Sequence, residues 1–272
     1  MTVLRAVVFA LLLWALPASA SELRLEGDWT QGGLIRGSVP PGTTVHFDGR
    51  LVRVSRDGLF VFGFGRDAPA STVIEVLYPN GTGDRRKLEI SQRKYHTQRI
   101  DGLPRNMVTP SKQELERIRH EGAWIADVRR RDTDATWFAG GFRWPLVGTI
   151  TGVYGSQRIL NGEPRRPHYG IDIAAQGGSP VTAPAQGIVA LAEGDLFFTG
   201  GTVMIDHGHG LTSVYSHLAS LSVVVGERVA TGDALGTVGA TGRVTGPHLD
   251  WRVNWFKTRL DPALLAGPMP KK

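Results

Sequence analysis

His168-Tyr169-Gly170-Ile171-Asp172 opens the stretch on which the reading of this chain turns. The stretch continues through Asp206-His207-Gly208-His209-Gly210 and Tyr215-Ser216-His217-Leu218, and closes with Gly246-Pro247-His248-Leu249-Asp250-Trp251. Five of the chain's 8 histidines fall within it, and the chain has no Cys, so the cluster reads as a His/Asp metal or acid–base site. Taken as strand, His168 and Asp172 share one face, with Gly170 leaving room between them for an ion. Ile171 and Ile173 then face a core. The period-two spacing of His248-Leu249-Asp250 sets both polar side chains on one face and Leu249 and Trp251 on the other, and Pro247 suits the first residue of such a strand. Tyr215 and His217 share a face by the same rule. His207 and His209 lie in a Gly-rich turn and read as structural, hydrogen-bonded histidines.

Outward from this segment the pattern is β. Candidate strands run from Gly148 to Tyr154, Gly187 to Ala192, Thr202 to Asp206, Ser213 to Ser216 and Pro247 to Asn254, between Gly-rich turns. From Ser21 to about Arg99, turn dipeptides such as Asp48-Gly49, Asp57-Gly58 and Asn80-Gly81 separate short apolar runs, which predicts a small antiparallel β-sandwich. No cluster of acids, bases or nucleophiles occurs there, and His46, beside Phe47 in a strand-like run, reads as structural. Between the halves, Thr109-Pro110-Ser111-Lys112-Gln113-Glu114 carries helix-start signals. Pro110 suits the first helical position after a Thr109 cap, or Ser111 and Glu114 form a capping box. The helix runs to about Arg131, where Arg129-Arg130-Arg131 reads as a solvated end. The tail from Asp261, with Pro262, Pro268 and Pro270, is expected to fray.

Met1 to Ala20 has a charged start, an apolar run from Ala6 to Leu16 and small residues at Ala18-Ser19-Ala20, the order of a secretory signal peptide. The expected organisation is therefore a signal peptide (1–20), a β-sandwich domain (21–99), a connector with a helix (100–140), a catalytic domain (141–265) and a flexible tail (266–272). Without Cys no disulfide forms, so packing must hold the chain together. Charged residues make up 21% and hydrophobic residues 41%, which is globular rather than disordered. The net charge of +6, which becomes +5 when Arg5 leaves with the leader, suits an anionic partner outside the cytoplasm.

The ordered set His168-Tyr169-Gly170-Ile171-Asp172, His207-Gly208-x-Gly210, Tyr215-x-His217-Leu218 and Gly246-Pro247-His248-x-Asp250 resembles the lysostaphin-type zinc metallopeptidases, the peptidoglycan endopeptidases of bacterial cell walls. The likeness covers roughly Phe142 to Phe256. It implies an all-β fold with a groove over an antiparallel sheet, one divalent metal (zinc first), and peptidoglycan as partner, with no nucleic acid. The signal peptide implies periplasmic or extracellular localisation, with no integral membrane segment once the leader is removed. By the same resemblance His168 and Asp172 bind the metal, and His217 and His248 flank the attacking water as base and oxyanion donor, in an order the sequence leaves open.

The family's third metal ligand is a His where this chain has Asp250. A carboxylate oxygen reaches about as far as an Nδ1, so His168, Asp172 and Asp250 form the expected ligand set, with a less Lewis-acidic ion and more room for harder metals such as Mn²⁺. Arg158 and Asn161, just ahead of the His-x-x-x-Asp motif, are candidate substrate-binding residues, with Arg166 beside them, because an Arg can clamp a stem-peptide carboxylate. The expected function is an exported metal-dependent endopeptidase cutting peptidoglycan stem peptides or cross-links. The alternative is an inactive peptidoglycan-binding protein, or an activator of a partner amidase, on the same fold.

Overall fold

Asp48 and Gly49 take φ values of 49° and 71°. Two left-handed residues in a row make the tight turn whose twist matches the strands it joins, and Phe47 pairs with Arg50 across it. Turns with a single left-handed glycine, at Gly42, Gly58 and Gly81, join other strands of the first half of the chain. The computed structural model describes residues 23–271; the leader expected over residues 1–20 lies outside them. The strands of this half are β1 (Arg24–Gly27), β2 (Leu34–Ser38), β3 (Thr44–Phe47), β4 (Arg50–Val52), β5 (Leu59–Gly63), β6 (Ser71–Leu77) and β7 (Gly83–Glu89). They form two antiparallel sheets, β1-β2-β5 and β4-β3-β6-β7. β6 buries Thr72, Ile74 and Val76 and turns the residues between them outward, the two-residue period of a half-buried strand.

The connector begins with β8 (Thr97–Ile100), a short turn of helix α1 (Arg105–Val108) and the long helix α2 (Lys112–Arg129). Of the two start signals the capping box is the one used. Ser111 Oγ accepts from the Glu114 backbone at 3.2 Å, and Glu114 Oε2 accepts from the Ser111 backbone at 2.7 Å.

The second half holds β9 (Thr149–Gly152), β10 (Gln157–Leu160), β11 (Glu163–Arg165), β12 (Ile171–Ala174), β13 (Pro180–Thr182), β14 (Gly187–Leu196), β15 (Gly200–Asp206), β16 (Leu211–Leu221), β17 (Arg228–Val229), β18 (Ala234–Val238), β19 (His248–Trp255), β20 (Thr258–Leu260) and helix α3 (Pro262–Ala266). The large antiparallel sheet runs β17-β14-β15-β16-β19-β12-β9. β8, from the connector, adds in parallel to β10.

Cross-strand register fixes what each face of this sheet carries, because directly opposed residues point the same way. Ile171 and Tyr215 both pair with Trp251, and Ile173 pairs with Leu249; all are buried in the core. Asp172 and Ser216 both pair with Asp250, and Ala174 pairs with His248, on the other face. Helix α2 lies over that second face. Its Val128 and Ile125 pack on Leu191, Met204 and Val214, and Val214 pairs with Arg252.

One core cluster runs through both halves of the chain. Phe47 stacks on Phe62 at 4.3 Å and meets Trp255 edge-on at 6.0 Å. The tail holds more structure than expected. Asp261 caps α3 by accepting from the Ala263 backbone at 3.0 Å, and it pairs with Arg93 at 2.8 Å. The Trp144 indole donates to the Gly267 carbonyl at 2.9 Å, and Met269 packs against the core.

Candidate active site

The strand expected over His168 to Asp172 begins only at Ile171. Pro167 has no N–H with which to extend a ladder, and His168 sits in the loop before β12. There its N–H donates to Ser156 O, and its carbonyl accepts from Gly155, both at 2.8 Å. The two side chains still meet, with His168 Nε2 lying 3.1 Å from Asp172 Oδ1. Close approach depends on glycine. A Cβ at Gly152 would stand 2.2 Å from Asp172 Oδ2. One at Gly170 would stand 2.6 Å from Asp250 Oδ1 and from the Trp251 carbonyl, so Gly170 makes room for Asp250 and the neighbouring strand.

β19 follows the expected alternation, with Leu249 and Trp251 fully in the core and Asp250 on the site face. β16 does not. Tyr215 points into the core, where its hydroxyl meets Ser213 Oγ at 2.7 Å. His217 reaches the site because it takes a left-handed φ of 67°, which breaks the strand's alternation after Ser216. Its ring stands 4.8 Å from that of His248. The Nδ1 atoms of His217 and His248 lie 2.8 Å and 2.9 Å from the carbonyls of Thr241 and Gly246. A carbonyl only accepts, so each Nδ1 carries a proton, and the neutral form of either ring has its lone pair on Nε2. Burial lowers the His217 pKa to about 4, against the opposing pull of Asp250.

One ligand atom from each of His168, Asp172 and Asp250 lies within 4.8 Å of the others. All three residues are buried. Nδ1 of His168 has no hydrogen-bond partner, while its Nε2 and Asp172 Oδ1 face each other at 3.1 Å without hydrogen-bond geometry, a buried and poorly satisfied donor set that a cation would relieve in part. Their far sides are held by arginines. Arg158 Nη2 donates to Asp172 Oδ2 at 2.6 Å, leaving Oδ1 free. Arg252 grips Asp250 with Nε 2.9 Å from Oδ1 and with Nη2 on Oδ2. Burial pushes the Asp250 carboxyl up, but Arg252 outweighs it and holds the pKa well below the usual range. A carboxylate has about four lone-pair sites, so Asp250 keeps acceptor capacity beyond Arg252. The donor set and its spacing fit a divalent cation.

The candidate substrate residues are already engaged. Arg158 lines the cavities beside the site, but its guanidinium is committed to Asp172. Asn161 turns to the connector, where its amide donates to Leu103 O at 2.8 Å and accepts from Leu103 N at 3.1 Å. His207 is structural as expected, between Gln186 O and Ser213 Oγ, each at 2.7 Å. The His209 ring packs 5.0 Å from the Phe138 ring, and its backbone N–H donates to Thr133 O at 2.9 Å. The residues missed by sequence reasoning are Arg252 and Arg129. Arg252 carried a signal, since it alternates onto the face of Asp250.

An antiparallel sheet here carries paired histidines beside a His/Asp/Asp cluster that could hold a metal ion. The sequence model of Peptidase family M23 matches residues 166–262, and that segment is an M23 domain. M23 peptidases as a class are zinc enzymes. The chain is 38% identical over 134 residues to a protein of Neisseria meningitidis named DD-carboxypeptidase/endopeptidase Mpg, covering 48% of this chain and 31% of that one. It is 34% identical over 150 residues to the cell division protein DipM of Caulobacter vibrioides, covering 54% of this chain and 24% of that one. The matches thus span a third or less of these relatives. A crystal structure from Pseudomonas aeruginosa, described as a candidate M23 peptidase, superposes with a TM-score of 0.69 at 29% identity, covering 88% of this chain and 96% of that one.

Proposed function

We propose that this chain is an exported, zinc-dependent peptidase of peptidoglycan peptides. His168, Asp172 and Asp250 would hold the ion, and His217 and His248 would move protons. The observation that carries the reading is the matched orientation of the two histidines, each with Nδ1 on a backbone carbonyl and Nε2 left for proton transfer, beside the His/Asp/Asp cluster. When bound, zinc supplies Lewis acidity toward the peptide carbonyl and eases ionisation of the attacking water. One Nε2 accepts the proton of that water, and the resulting imidazolium donates to the developing oxyanion or the leaving amine. The carbonyls of Thr241 and Gly246 keep both rings in register for this. The leader-like residues 1–20 support export, and the name of a relative from Vibrio cholerae, peptidoglycan DD-endopeptidase ShyA, supports the substrate.

One observation favours the inactive alternative, in which the fold only binds peptidoglycan or activates an amidase. Arg158 and Arg252 already balance the charges of Asp172 and Asp250, so the cluster is neutral without an ion. Metal content separates the two. The peptidase reading expects about one zinc per chain, lost in Asp250→Ala, with release of peptides from purified wall. A wild type free of metal that gains zinc as Asp250→His would overturn it.

A further inference from the structure

Arg129, expected at a solvated helix end, instead turns beneath α2 into a cavity of about 340 Å³ that His217 and Asp250 also line. Five arginines reach this cavity: Arg129, Arg158, Arg166, Arg243 and Arg252. Arg158 and Arg252 are taken by Asp172 and Asp250. Glu121, the other acid on the wall, is taken by Arg117 at 2.6 Å and by the Phe197 backbone at 2.8 Å. Among the described residues, Arg129, Arg166 and Arg243 have no carboxylate partner within 4.0 Å. Arg243 spends one N–H on the Met107 carbonyl, and the Nε of Arg129 has no partner at all.

Gathering guanidinium groups under a helix is costly unless an anion joins them. Burial above all, and neighbouring arginines after it, lower the pKa of Arg129 to about 8 and of Arg243 to about 10. The chamber is open to ligands, since Arg166 and Gly122 on its rim are exposed.

We infer that this arginine chamber binds the free carboxylate of a peptide substrate, placing the bond next to a carboxylate-bearing residue at His217 and His248. The inference rests on the peptidase reading and deepens it. A planar, two-pronged guanidinium suits a carboxylate, and the chamber shares its wall with the proton-transferring histidine. A peptide ending in a free α-carboxylate is therefore preferred over the same peptide ending in an amide.

The test is calorimetric titration of the full chain, stripped of metal so that no hydrolysis intervenes. The probes are a stem pentapeptide with a free C-terminus and its C-terminal amide. The wild type should bind the free acid about ten- to a hundredfold more tightly, the range of one charge-assisted pair. Arg129→Gln should erase that preference, and Arg166→Gln, on the exposed rim where folding is not at risk, should reduce it. Equal affinity for the two peptides, or a preference that survives both substitutions, would overturn the assignment. A preserved preference in a zinc-loaded protein that cuts neither peptide would sink the peptidase reading and leave the chamber standing.

Discussion

Replacing Arg252 with Met asks what holds the centre of the site together. Asp172 and Asp250 are direct cross-strand partners, and two arginines balance them. Arg252→Met keeps much of the side-chain volume and leaves Asp250, with a side chain only 2% exposed, charged and unpaired. Breaking one side of such a buried pair costs about 3–5 kcal/mol. At about 2–4 °C per kcal/mol for a chain of this size, the metal-free variant should melt about 6–20 °C below the wild type. Zinc at a hundredfold excess over its Kd stabilises a folded protein by about 2.7 kcal/mol. Without Arg252 competing for Asp250, the variant should bind zinc more tightly and show a larger zinc-induced rise in Tm than the wild type. The assay is thermal unfolding in chelator and in zinc, on both proteins. A variant that melts within about 2 °C of the wild type in chelator, with an unchanged zinc shift, would refute the argument that Arg252 and a cation compete for one carboxylate.

Gly152→Ala should cost the site its metal while sparing the fold, because the new methyl falls 2.2 Å from Asp172 Oδ2, which Arg158 pins; zinc content and circular dichroism measured together check this. His207 gives a pH dependence away from the ligands. Burial lowers its pKa from 6.5 to about 4, so the unfolded chain takes up the proton first as pH falls. Its contribution is fully present above pH 6.5 and is lost progressively toward pH 4, about 3 kcal/mol in all. Denaturant titrations across that window should show the loss, and His207→Gln should flatten it.

What the sequence revealed and concealed follows from the range of the interactions involved. The capping box at Ser111 and Glu114 is a contact across three residues, and it formed as read. The alternation of His248, Leu249 and Asp250 is a property of one strand, and it held because no residue in it leaves the strand region. Tyr215 and His217 broke the same rule through a single left-handed residue, and nothing in Tyr-Ser-His advertises a positive φ. Asn161 and Arg129 were misplaced for a different reason. Each is positioned by chain remote in sequence, Asn161 by Leu103 and Arg129 by the docking of α2 on the sheet. The Arg252–Asp250 pair lies between these cases: the alternation brought the two onto one face, but only the burial of Asp250 makes the pair matter.

The core that passes without a break from Phe47 and Phe62 to Trp255 and Leu260 bears on how such a protein can change over time. The matched segment of residues 166–262 is not a cartridge. Cut out alone it would bare Trp255 and Leu260, strip Phe256 of the Arg50 guanidinium stacked 3.8 Å from its ring centroid, and leave Asp261 without Arg93. Shuffling at the level of the gene would therefore be tolerated only when both halves travel together, and a substitution in the N-terminal strands must be accepted by the back of the sheet that carries the histidines. The Pseudomonas aeruginosa structure, which matches across 88% of this chain, has the extent expected of such a joint inheritance.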